Sequence, residues 1–266
     1  MRIKSKIMYT LIFLLLGSQL GSSGLGVSGA ILERKVDPGE IFSHEMIVSS
    51  DSSTPPMDLT IDILGINQTV DGENVELKEG EDIGPYSART FLKAIPEIFH
   101  LEPGESQKVT VEGRIPYDAR PGGRYALINI HSLPIGNETI GIIVAVEVPV
   151  RLTISGPGLK KSGRIEDIRL EEPISARQQN ISLTLRNTGN YHYKARAYAE
   201  LKDIKGNTIA DDLSPLSSNI IAGASRIFRL STASKKELGS GTYFVNATVK
   251  LINGSILDTK EVQFNV

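Results

Sequence analysis

The residues of this chain whose types and spacing bear on chemistry are four histidines, an acidic run and a pair of glycines set between arginines. His44, His100, His131 and His192 stand singly, with none of the i, i+4 pairing that holds zinc on one helix face. Each reads as a surface or strand-end residue. There is no G-x-S-x-G elbow and no phosphate-binding glycine-lysine loop. A Ser/His/Asp triad assembles in space rather than in sequence, so dispersed residues leave that chemistry open. The run "DGENVELKEGED", residues 71–82, offers oxygen ligands suited to calcium but lacks the spaced Asp/Asn and closing Glu of a helix-loop-helix site. A solvated acidic loop is the expectation. With no cysteine there are neither thiolate metal sites nor disulfides. Neither a metal, a cofactor nor a catalytic residue is expected, and the chain does not read as an enzyme.

The stretch "DARPGGRYALINIHS", residues 118–132, poses the sharpest choice. Gly122 and Gly123 beside Arg120 and Arg124 would suit an anion cradle if they opened a helix, whose N-terminus supplies amide donors. Alternation begins immediately instead: Ala126, Ile128 and Ile130 form one face after Tyr125, and Leu127, Asn129 and His131 the other. The glycines then read as the bend before a strand. Tyr125, and Tyr243 at the matching place in the second half, read as corner tyrosines whose hydroxyls pin the preceding turn.

The elements that position these residues begin after a leader. Arg2, Lys4 and Lys6 precede the apolar run "IMYTLIFLLL" and a Gly/Ser-rich stretch, the layout of a secretory signal over residues 1–30. Ser28 and Ala30 suit the small-residue positions of a cleavage site, placing the cut after Ala30 or earlier among the Gly/Ser residues. An apolar core of about ten residues falls short of the roughly twenty that span a bilayer, so a membrane enters only if the segment stays uncleaved. Loss of the three leader cations takes the formal charge from −2 to −5, which argues against nucleic acid as a partner. The chain is expected to be secreted or held at the cell surface.

The rest alternates apolar and polar residues in short segments bounded by Gly, Pro, Asn and Asp, the pattern of antiparallel sheets. The linker "SGPGLKKSG", residues 155–163, separates two units, 31–154 and 164–266. Their layouts match: Gly104 precedes Tyr125 as Gly223 precedes Tyr243, each pair enclosing a strand and a second glycine turn. The fold class is therefore all-β, two tandem immunoglobulin-like sandwiches. One departure is "PYSARTFLKAIPEIFHL", where Ser87 is expected to cap about two helical turns ending at Pro96. N-x-[ST] sequons at Asn67, Asn137, Asn180, Asn246 and Asn253 are candidate glycosylation sites.

The strongest binding candidate is "ETIGIIVAVEVPVRLTISGP", long for one strand, with Ile142, Val144 and Val146 on one face. At a sheet edge it would serve as a template for strand addition by a partner; at the centre it would be the last core strand of the first unit. Taken together, "IFHLEPGESQKVTVEGRIPYDARPGGRYALINIHSLP" and "VEVPVRLTISGP" resemble the N-terminal domain of periplasmic pilus chaperones. They are similar also to the peptidoglycan-binding first domain of WxL-interacting surface proteins. The resemblance covers about residues 31–158. It implies a non-catalytic sandwich that binds an envelope protein or a wall glycan, with Arg151 taking a partner's terminal carboxylate and Arg34 assisting. The function expected is thus surface binding or assembly through edge strands and loops; a structural envelope or S-layer component, or an accessory module of an exported hydrolase, are the alternatives.

Overall fold

The computed structural model describes residues 24–78, 80–82, 84–133, 143–171 and 177–266. The leader through residue 23, Asn137 and Ile142 lie outside them. In chain order the first unit contains β1 (Leu25–Ser28), β2 (Leu32–Val36), β3 (Ile41–Ser50), β4 (Met57–Gln68), β5 (Asn74–Leu77), β6 (Leu92–Ile95), β7 (Ile98–Leu101), β8 (Ser106–Arg114), β9 (Gly122–Ser132) and β10 (Ala145–Ile154). One sheet runs β1-β3-β8-β6, the other β2-β10-β9-β4-β5 with β7 also paired to β4. Alternation decides what faces inward. Phe42, Met46 and Val48 of β3 and Val109 and Val111 of β8 meet Leu59 and Ile61 of β4, Ile128 and Ile130 of β9, and Val148, Val150 and Leu152 of β10.

The second unit holds β11 (Gly163–Leu170), β12 (Gln178–Asn187), β13 (Ala195–Asp203), β14 (Thr208–Leu213), β15 (Ser225–Ala233), β16 (Thr242–Leu251) and β17 (Ile256–Asn265). A β11-β12-β15 sheet faces a β14-β13-β16-β17 sheet. Leu183, Leu185 and Phe228 pack there against Leu201, Val245 and Val249, while Ala195, Ala197 and Ala199 let β13 lie close. The fold is all-β, two immunoglobulin-like sandwiches in tandem. Among the described residues no helix is long and apolar enough to cross a membrane.

The segment expected to be helical is not. Ser87 Oγ does accept the Arg89 N–H, but only a 3-10 turn, Arg89–Phe91, follows before β6 and β7. Leu92 and Ala94 are buried with exposed residues between them, a period of two that the pairing of β6 with β8 enforces. Tertiary pairing outweighs the modest helical preference of the segment.

The first strand of the sandwich is split between both sheets. β1 pairs antiparallel with β3, from Leu25 opposite Ser50 to Ser28 opposite Ile47, whereas β2 pairs parallel with β10. Gly29 makes the crossing possible: its φ is 74°, and a Cβ there would stand 2.6 Å from the Glu45 carbonyl oxygen. Leu25 and Val27 pack against the core. The expected cut after Ala30 would remove β1. A chain beginning at Ile31 should therefore unfold at lower urea than one beginning at Gly24, by about 2 kcal/mol for the two partly buried side chains; equal midpoints would show β1 to be dispensable.

Candidate functional site

The two ends of β10 differ. Val150 to Ile154 pair with Leu32 to Val36 of β2 on one side and with β9 on the other. From Ile143 to Pro149, β9 is the only partner among the described residues. Ser132 N donates to the Val144 carbonyl on the β9 side, and Ser155 N to the Val36 carbonyl on the β2 side, so the odd-numbered residues of β10 direct their backbone groups outward. Ala145 and Glu147 thus carry outward N–H and C=O groups without a ladder partner, and Pro149 has no N–H to leave unpaired. Val144 and Val146 lie half-buried on the inward face beneath this edge. The sequence reading of this strand as either edge or core resolves into both, by halves.

Arg151 sits just beyond the open half, in the domain junction. Its Nε donates to Glu33 Oε2 at 3.2 Å, Asn219 Nδ2 donates to the same oxygen at 3.0 Å, and His192 Nε2 lies 3.4 Å from Glu33 Oε1. Burial alone would raise the Glu33 carboxyl; the Arg151 hydrogen bond, followed by nearby positive charge, outweighs it and holds the group below its ordinary value. Burial dominates at His192 and favours the neutral ring, which leaves Arg151 as the formal positive charge on Glu33. His192 Nδ1 is buried without a hydrogen-bond partner. Arg34 does not join this group. Neighbouring residues of β2 face opposite sides, and Arg34 lies instead over the Phe42 ring at 5.1 Å, paired with Glu40 at 3.1 Å.

The glycine pair serves the same junction. Tyr125 is 2% exposed and belongs to the second sandwich's core, its ring 5.8 Å from His192 and its hydroxyl oxygen accepting the Ala222 N–H at 3.2 Å. That replaces the local corner expected for it; burial pushes its phenol well up. Gly123 N donates to the Asn190 carbonyl at 2.7 Å. A Cβ on Gly122, whose φ is 143°, would stand 2.8 Å from that carbonyl, and one on Gly123 would stand 2.0 Å from the Tyr125 hydroxyl. Arg124 is tied back by donating to the carbonyls of Gly123 and Arg120. Tyr243 does make a local bond, donating to the Gly239 carbonyl at 2.9 Å.

Further contacts brace the two units. Gln68 donates to the Asn219 carbonyl and accepts from Ile221 N. The turn after β4 docks on β15: Ile227 N donates to the Val70 carbonyl, Arg226 to the Asp71 carbonyl and Arg229 to the Asp71 carboxylate. The acidic run is accordingly anchored at its first residue. Glu33, Asn219, Gln68 and Asp71 carried no local signal for these roles.

The remaining candidates are dispersed. His100 lies 2.8 Å from Asp58 and His131 2.9 Å from Asp62, while His44 bonds the Gly29 carbonyl. No group of three or more metal-binding side chains forms among the described residues. Asn67, Asn180 and Asn253 are exposed, and Asn246 is half-buried with Nδ2 directed at Glu261.

No protein-family model matches the chain, and neither does any curated protein. Similarity lies among solved structures. A chain from a chaperone–tip adhesin complex of CFA/I fimbriae biogenesis is 13% identical with a TM-score of 0.46, spanning 91% of this chain and 98% of that one. The Escherichia coli chaperone DraB is 13% identical at TM-score 0.39, over 92% and 98%. The Salmonella enterica SafA pilin–SafB chaperone complex gives 11% identity at 0.40, over 91% and 97%. Superpositions this loose leave the functional argument to the chain's own residues.

The junction makes stability depend on pH. An unfolded chain protonates His192 near its ordinary value of 6.5 while the folded one resists, so stability falls as pH drops through that value; the Glu33 contribution is lost separately, below 4.5. Between neutral pH and about pH 5, the urea midpoint of the wild type should lose more on acidification than that of His192→Asn. Parallel slopes would remove His192 from the account.

Proposed function

We propose that this chain is an exported, non-catalytic binding module that recognises an envelope protein by accepting one of its segments as an added strand along β10. The observation that carries this reading is the edge from Ile143 to Pro149, which lacks a ladder partner among the described residues and lies above the half-buried Val144 and Val146. Such an edge supplies backbone donors and acceptors for affinity, and the alternate side chains of the added strand reach the valines for specificity. A strand added there must stop where β2 begins, opposite Val150 and one residue before Arg151. Arg151 and Lys194, with Gln68, Asn74 and Asn219, line a recess of 140 Å³ between the two sandwiches, suited to a partner's terminal carboxylate. Because Arg151 already holds Glu33, that capture would share or displace a resident carboxylate.

A wall polymer is the second reading, favoured by a separate feature of the first sandwich. Arg89, Arg120 and Arg124 outnumber Asp82 and Asp118 in an open groove of 760 Å³ with Phe91 as an apolar wall. Arg124 is 9% exposed and has no carboxylate partner among the described residues. Acidic sugars suit such a surface.

Immobilised chain should retain a defined protein from its own envelope fraction. Glu147→Pro, which deletes one outward N–H and no ladder bond, should cut that retention at least about tenfold, or 1.4 kcal/mol, without lowering the melting temperature. Arg151→Ala should weaken retention if the terminal carboxylate is captured. Retention unchanged by Glu147→Pro would overturn strand addition, and retention of glycan alone would favour the arginine-lined groove.

A further inference from the structure

The outer face of the β14-β13-β16-β17 sheet gathers apolar and cationic residues around one depression. A groove of 340 Å³ is lined by Arg196, Tyr198, Leu213, Leu216, Lys250 and Leu251. Leu213 is 52% exposed, and Ile252, in the turn after β16, is 71% exposed. Isolated apolar residues on a surface need no explanation, but these are gathered around one depression.

The charges there are arranged at a cost. Arg196 and Lys250 stand directly opposite each other across β13 and β16. Like charges in that position destabilise a sheet. Neither forms an ion pair with any described residue, and Lys194, two residues before Arg196 and just ahead of β13, forms none either. Lys194 and Lys161 line the adjoining 270 Å³ depression on the far side of Ile252. A surface shaped for solubility alone would mix signs. Here the unpaired cations gather at one end: beyond Tyr198, whose hydroxyl approaches Glu200 at 3.4 Å, the face carries Glu200, Asp211 and Glu261, with Lys202 paired to Glu200 at 3.2 Å.

We infer that this groove docks an acidic peptide segment of a protein partner, with one or two large apolar side chains seated between Tyr198, Leu213 and Leu216 and carboxylates paired to Arg196 and Lys250. The apolar residues border a depression between the cations, which suits side chains projecting from a peptide more than a flat lipid surface. The volume lies at the small end of ligand sites. Asp211 and Glu261, which form no ion pair among the described residues, repel the peptide's carboxylates at one end and so set its direction along the face. Arg196, Tyr198, Leu213, Leu216 and Lys250 take no part in the β10 site, so the inference stands or falls independently of strand addition.

Panning the whole chain against phage-displayed random dodecapeptides tests this. The expected outcome is enrichment of sequences with Asp or Glu flanking Leu or Phe. Binding of the best peptide, read by fluorescence anisotropy, should weaken at least about tenfold in Arg196→Glu/Lys250→Glu and several-fold in the milder Arg196→Gln/Lys250→Gln, yet hold in Glu147→Pro. No acidic-apolar enrichment, or equal affinity for the wild type and the glutamine variant, would overturn the inference. So would co-sedimentation of the wild type, but not of the glutamine variant, with phosphatidylglycerol vesicles, which would make the surface a lipid site.

Discussion

The structure depends on where one aromatic ring is placed. Tyr125 leaves from a strand of the first sandwich and is buried in the core of the second, where its hydroxyl accepts the Ala222 N–H. Burying a ring that large is worth several kcal/mol only if the surroundings close around it. The other junction contacts follow from that closure: Gly122 and Gly123 thin the backbone so that Asn190 can approach, Glu33 and Gln68 meet Asn219, and Asp71 reaches Arg226 and Arg229. Segment 155–162 is held in the same way, with Lys160 and Asn190 exchanging backbone and side-chain bonds and Tyr193 donating to the Ser162 carbonyl. The open edge of β10 is presented from a frame rather than from a hinge.

Much of the frame was legible in the sequence because its causes are local. Alternating segments announced the long strands, and Gly104 and Gly223, both at positive φ, announced the turns before β8 and β15. Short strands such as β1, β5 and β14 escaped, since four to six residues carry little periodicity of their own. The segment carrying β6 and β7 misled because its apolar spacing fits a helix as well as an edge strand.

The site was legible by halves. That Gly122 and Gly123 precede a strand rather than cradle an anion followed from Ala126, Ile128 and Ile130. What the glycines make room for did not, because Tyr125 meets a partner 97 positions away in the chain. Arg151 could be picked out by position, but not its engagement with Glu33, 118 positions distant. Long-range polar partners have no periodic signature, and Arg34, adjacent to Glu33, faces the other way for reasons of strand parity alone.

The crossing at Gly29 has a bearing on how the molecule forms. Because β2 lies parallel to β10, the second strand of the chain closes against the last strand of its sandwich, and the pairing of Leu32 with Val150 spans nearly the whole unit. Such a topology has high contact order and cannot be completed by neighbours in sequence. As the chain emerges from its N-terminus, Leu32 and Val36 remain without their strand partner until Ile154 has followed. Until it has, the whole outer edge of β10 is open rather than the Ile143–Pro149 half alone, and Val150 to Ile154 present to any competing strand the backbone groups that β2 finally takes.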